Sequence, residues 1–362
     1  MNPSPNPVPE RTFVPPDRRK VRVRCERLRP PTGRFRHRSL NLGVWRRPGG
    51  VPETGWQMSA VRTSLLSVLL AAASTVTAQE PTAPPQGNPG KSTEPRASWG
   101  KIVLNADDTP AFPQPPVGWD VPRDGIAHGR LALIEYESRT VGARRKMTVY
   151  TPPGYTLERK YPVLYLLHGI GGDETEWQGF AQPEVLLDNL IADGKAAPMI
   201  IVMPNGRAQK EDRAVGDLFQ HSPAFARFER DLLDDVIPTI ESRYGTFPDR
   251  EHRALAGLSM GGGQSLNFGL GHPDLFAWVG GFSSAPNTRA SKELLPDPAT
   301  ASRFKLLWLS CGKRDGLIHI SQDVHAYLKA NAVPHVWHVT DHAHDAPEWK
   351  QALYFFAQQL FK

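Results

Sequence analysis

The sequence predicts an α/β domain: a mostly parallel central sheet with helices on both faces. From Gly129 onward, short runs rich in Val, Ile, Leu and Tyr alternate with segments of helical spacing. The inner runs "YPVLYLLHG", "PMIIVMPNG", "HRALAGLS", "FAWVGGFSS" and "FKLLWLSCG" are apolar almost throughout, as strands covered on both faces must be. Ahead of them, "GRLALIEYES" and "RRKMTVYTPPGY" read as two strands joined by a turn. The intervening segments "PEVLLDNLIADGK", "FARFERDLLDDVIPTIESRY", "SMGGGQSLNFGLGH", "SQDVHAYLKANA" and "PEWKQALYFFAQQLFK" read as helices. In the second, Phe225, Phe228, Leu232, Leu233, Val236 and Ile240 form one apolar face, and Pro238 predicts a break in its hydrogen bonding.

The chain has 362 residues, enough for one large α/β domain. Its net charge of +6 would suit a polyanionic partner if it were spread over the fold, but it is not. Residues 1–57 hold 13 basic and four acidic side chains, a net +9, whereas residues 58–362 hold 30 and 33, a net −3. The basic excess thus belongs to a Pro-rich leader, and no nucleic-acid partner is expected for the domain.

Residues 58–78 follow the pattern of a signal peptide. Arg62 supplies a short positive region, Leu65 to Ala73 an apolar run, and Val76, Thr77 and Ala78 a small-residue cleavage site. The apolar run is too short to span a bilayer, so export to the periplasm or beyond, without stable membrane insertion, is the expectation. Met58 then reads as the functional start, and residues 1–57 as a disordered basic leader lying ahead of the translated chain. Residues 79–116, with "PTAPPQGNPGKSTEP", read as an arm or linker, and residues 117–362 as the catalytic domain. Cys25 would leave with the leader, and Cys311, at the end of an apolar run, reads as packing.

Gly257-Leu258-Ser259-Met260-Gly261 is a GxSxG sequence between an apolar strand and a helix. That is the context of a nucleophile elbow, where small flanking residues let a serine project above the sheet edge, and it points to the α/β-hydrolase fold. A serine hydroxyl needs a base and an orienting acid, which in this fold follow it in the order acid then histidine. Asp315 stands just past "FKLLWLSCGKR", at the C-terminal edge of the sheet. Asp323 falls within a helical segment, and Asp341 is too close in sequence to the candidate histidines. For the base, His335 and His338 read as strand residues, leaving His342 and His344 in the following loop; composition does not choose between them. No HExxH or Cys/His spacing accompanies them, so no metal is expected. The developing oxyanion needs two backbone amides: one from Met260, the other from the glycine-rich loop His168-Gly169-Ile170-Gly171-Gly172.

Together "YPVLYLLHGIGGDETEW", "DREHRALAGLSMGGGQSLNFGL" and "HDAPEW" resemble the feruloyl esterase branch of carbohydrate esterase family 1, a group of esterase D-like α/β hydrolases, over residues 119–361. The resemblance implies a serine esterase with no cofactor. It assigns Ser259 as nucleophile, Asp315 as acid and His344, rather than His342, as base. It also implies Ile170 and Met260 as oxyanion donors, and substrate contacts from Gly169, Gly171 and Trp177. "CGKRD" and "DHAHD" depart from the family pattern before the acid and before the histidine, and these departures bear on substrate choice. Hydroxycinnamoyl or acetyl esters of plant cell-wall polysaccharide are the expected substrates, with a broad short-chain esterase or a siderophore esterase as the alternative. A catalytically inactive binding module is disfavoured by the intact order of triad and oxyanion loop.

Overall fold

In the computed structural model, residues 100–362 are described; the leader and signal-peptide expectations lie outside them. Eight strands form one sheet: β1 (Arg130–Ser138), β2 (Ala143–Thr151), β3 (Val163–Leu167), β4 (Ile200–Pro204), β5 (Arg253–Leu258), β6 (Trp278–Phe282), β7 (Leu306–Gly312) and β8 (Val336–Thr340). Their order is β1-β2-β4-β3-β5-β6-β7-β8. β1 pairs antiparallel with β2, and β2 with β4; every later pairing is parallel. This is the mixed, mostly parallel sheet of an α/β hydrolase. Six strands therefore end along one edge, with β5 in the middle of the sheet, and functional loops of such folds gather at that edge.

The helices are α1 (Glu176–Phe180), α2 (Pro183–Ala192), α3 (Ser222–Asp231), α4 (Ile237–Arg243), α5 (Met260–Gly271), α6 (Ser291–Leu294), α7 (Ile318–Ala330) and α8 (Ala346–Ala357). Side chains alternate across each strand, so one strand feeds two cores. Val163, Tyr165 and Leu167 of β3 join Phe228, Val236, Leu266 and Val324 from α3, the α3–α4 turn, α5 and α7. Leu164 and Leu166 join Leu186, Leu190, Leu353 and Phe356 from α2 and α8 on the opposite face. Between α3 and α4 lies a π-helical turn, Leu232–Val236, in which the Ile237 N–H reaches back to Leu232 O. Pro238, which cannot donate, follows directly, and the Asp234 carbonyl is taken at 2.7 Å by Arg139 Nη2. The break expected at Pro238 is thus a widened turn within one helical path.

Residues 107–121 pack along β8 and α8. Val339 N–H donates to Thr109 O at 3.1 Å, and Trp337 Nε1 to Asp108 Oδ1 at 3.0 Å. The Phe112 ring stacks on Trp308 and Phe355, with centroids 5.5 and 5.0 Å away. Ala111 N–H donates to His338 Nδ1 at 3.0 Å. Burial pulls the His338 pKa down to about 4, which keeps this nitrogen an acceptor at neutral pH.

Candidate active site

Ser259 sits between β5 and α5 with φ 52° and ψ −117°, a conformation most L-residues avoid. Three backbone hydrogen bonds hold it there. Its N–H donates to Phe282 O at 2.9 Å, and its carbonyl accepts from Gly263 N–H at 3.1 Å and Ala285 N–H at 3.0 Å. Such a conformation costs about 1–3 kcal/mol, which the surrounding bonds offset. The glycines of the motif are there for space: a Cβ on Gly257 would lie 2.6 Å from Gly261 O, and one on Gly261 would lie 2.6 Å from His168 O.

The two remaining candidates come from the ends of β7 and β8. His344 Nε2 is 2.9 Å from Ser259 Oγ, and His344 Nδ1 is 2.8 Å from Asp315 Oδ2. Asp315 is buried, and its other oxygen accepts from Leu317 N–H at 2.8 Å. Burial raises the Asp315 pKa, but the hydrogen bonds and charge of His344, with the Leu317 N–H and the Cys311 thiol, outweigh it and hold the carboxyl below its ordinary value. An ionised Asp315 requires a proton on His344 Nδ1. Nε2 is then the lone-pair nitrogen facing the Ser259 hydroxyl, within the reach a general base needs. His342 does not join this line: its N–H donates to Thr340 Oγ1 at 3.2 Å, and its carbonyl accepts from Arg314 N–H at 2.9 Å. Cys311 is fully buried, and its thiol donates to Asp315 Oδ2 at 3.3 Å. Burial, followed by the Asp315 charge, pushes that thiol well above its ordinary pKa, which suppresses thiolate reactivity.

The glycine loop after β3 lies beside the elbow, since a Cβ on Gly169 would come within 3.5 Å of Ser259 Cβ. A network not apparent in the sequence sets its shape. Gly206 N–H donates to His168 Nε2 at 2.7 Å, so the proton is on Nδ1 and goes to Gly169 O, also at 2.7 Å. Burial lowers the His168 pKa and favours this neutral form. With Gly169 O turned to His168 and to Gly172 N–H, the planar peptide points the Ile170 N–H the opposite way. Glu176 Oε2 accepts the Gly169 N–H at 2.7 Å, and Arg207 Nη2 donates to Ile170 O. Met260 opens α5, so its N–H is one of the first-turn amides with no partner inside the helix. Gly171 is exposed at the surface of this loop.

Trp177 is not a substrate contact. It is 1 % exposed, packs against Phe180 and Phe282, and its indole N–H bonds Leu167 O at 3.1 Å, so it supports the loop from beneath. Around the serine, Phe225, Met260, Ala285 and Leu317 form a small apolar cluster, with Ile170 and Ile320 packed on it. On the histidine side a cavity of about 610 Å³ is lined by Arg314, Gly316, Ala343 and His344, among others.

This fold and this meeting of serine, histidine and aspartate define a class, the serine hydrolases of the α/β-hydrolase fold. A family model described as "Putative esterase" matches residues 138–358, and the chain belongs to that esterase family. It is similar to the endo-1,4-beta-xylanase/feruloyl esterase of Xylanibacter ruminicola, with 34% identity over 246 residues that cover 66% of this chain and 32% of that protein. The chain thus spans about a third of that relative's length. Among solved structures it is similar to the CE1 ferulic acid esterase of the anaerobic fungus Anaeromyces mucronatus. The TM-score is 0.62 at 26% identity, covering 72% of this chain and 98% of that one. The fungal esterase is also known in complex with ferulic acid. The chain is a carboxylic ester hydrolase related to the feruloyl esterases.

Proposed function

We propose that this enzyme is an exported esterase that releases hydroxycinnamoyl groups from plant cell-wall polysaccharide through an acyl-enzyme. The observation that carries the reading is the continuous line Asp315–His344–Ser259, with hydrogen bonds of 2.8 and 2.9 Å. His344 Nε2 takes the hydroxyl proton as Ser259 Oγ attacks the ester carbonyl. Asp315 stabilises the resulting imidazolium. The Ile170 and Met260 amides receive the oxyanion. His344 then gives the proton to the departing alcohol, and water, deprotonated by the same nitrogen, releases the acid and restores Ser259. No step calls for a metal or cofactor.

The choice of a hydroxycinnamoyl group over acetate is drawn from the relatives: the chain is similar to an endo-1,4-beta-xylanase/feruloyl esterase and to a ferulic acid esterase. The ferulic acid complex of the similar fungal esterase supports the same choice. Export rests on the signal-peptide pattern of residues 58–78. The test is hydrolysis of methyl ferulate, acetylated xylan and p-nitrophenyl acetate, compared side by side. Methyl ferulate should have the highest kcat/KM. Cleavage of the acetates with ferulate untouched would overturn the acyl assignment and leave a short-chain esterase.

A further inference from the structure

The loop that carries His344 walls two cavities. Its residues 343–345 face the cavity that touches the base, whereas His342, Ala346 and Pro347 line a second one of about 420 Å³. The remaining walls of the second cavity include Gln114, Trp119, Phe180, Lys350 and Gln351. Its volume lies in the range of small-ligand sites. It shares no residue with the apolar cluster beside Ser259.

Its chemistry is specific. Gln351 is 3 % exposed, and its Nε2 is given to Gln114 Oε1 at 3.2 Å, but its buried Oε1 has no partner in the protein. A buried acceptor left unpaired costs stability and marks a place that a ligand donor can fill. Lys350 Nζ is 2.7 Å from Asp120 Oδ2, so the cationic wall is neutralised and the cavity offers no net attraction to an anion. Two aromatic side chains, Trp119 and Phe180, complete the lining. Aromatic carbon beside closely spaced donors and acceptors suits a neutral sugar ring, whose C–H faces are apolar and whose hydroxyls each donate and accept. A purely apolar ligand would leave Gln351 Oε1 unpaired.

The cavity is also connected to the chemistry. Trp349 packs edge-on to His344 at 5.1 Å between centroids and to Phe180 at 5.8 Å. The leaving alcohol departs from the side of the group that protonates it, and that group is His344. A polysaccharide whose esterified sugar occupies the His344 cavity would continue toward this second one.

We propose that the cavity between residues 114–120, Phe180 and the start of α8 is a carbohydrate subsite. It binds a neutral sugar of the polymer away from the esterified unit. The proposal rests on the reading that the substrate is a polysaccharide-linked ester.

Two measurements test it. In the first, the Ser259→Ala chain is titrated calorimetrically with unesterified xylohexaose, with and without Gln351→Leu. Saturable binding that weakens about tenfold with Gln351→Leu is expected, the scale of one lost neutral hydrogen bond. In the second, the active enzyme is compared with Gln351→Leu and with the exposed-site variant Gln114→Ala, on feruloylated oligosaccharide and on methyl ferulate. KM for the oligosaccharide ester should rise about five- to tenfold at unchanged kcat, with methyl ferulate kinetics unmoved. Absence of xylohexaose binding, or equal losses on both esters, would overturn the subsite. Failure to cleave methyl ferulate would instead reject the acyl assignment, and the binding titration would still decide the subsite.

Discussion

At the scale of single residues, the reading turns on two histidines two positions apart. His344 lies between Asp315 and Ser259, whereas the backbone of His342 is tied to Thr340 and Arg314. His344→Ala should therefore lower kcat about as far as Ser259→Ala, by up to about 10⁶-fold, and the double variant should be scarcely worse than either. Asp315→Asn should lose about 10⁴-fold, since the imidazole keeps its place but loses the partner that fixes its tautomer. His342→Ala should cost far less. Steady-state kinetics on methyl ferulate check this ranking, and an essential His342 beside a dispensable His344 would reverse the assignment. Ser259 and Asp315 were legible because each follows an apolar strand in a recognisable local pattern. The two histidines share one loop and one composition, so only the family resemblance separated them. Trp177 entered only through the resemblance, and the fold, which the local sequence does not reveal, turns its ring beneath the loop.

At the scale of elements, β3 to β7 were visible from their apolar runs, and β1 and β2 as two strands joined by a turn. What escaped the sequence were contacts between distant elements. His168 and Gly206 are 38 positions apart, yet they jointly shape the oxyanion loop. The same holds for Glu348, which ties α8 to the end of β8 through Thr340 Oγ1, next to the loop of His344. Glu348 is fully buried, and burial outweighs the hydrogen bonds from Thr340 and Ser310 and pushes its carboxyl up to about 8 from an ordinary 4.5. The native state therefore holds a proton that the unfolded chain releases. This contribution to stability is complete below about pH 4.5 and is lost as pH rises through about 8, with a slope of up to about 1.4 kcal/mol per pH unit. Glu348→Gln, neutral at every pH, should remove that loss. Urea midpoints at pH 5, 7 and 9 should show the variant gaining on the parent as pH rises, and parallel curves would contradict the account.

For the molecule as a whole, the described residues 100–362 contain every group that the proposed mechanism uses. The net charge of +6 arises in residues 1–57, so it says nothing about the substrate. If residues 58–78 direct export, terminal sequencing of the secreted enzyme should begin near Gln79. A mature chain that retains the basic segment would reopen the reading of a polyanionic partner. The proposed mechanism requires Ser259 to become acylated by the aromatic ester. The most direct measurement is acid-quenched mass spectrometry of the enzyme during methyl ferulate turnover. A feruloyl adduct confined to the peptide that carries Ser259, and lost in Ser259→Ala, is the predicted result; turnover with the adduct on another residue, or with Ser259→Ala still active, would contradict it.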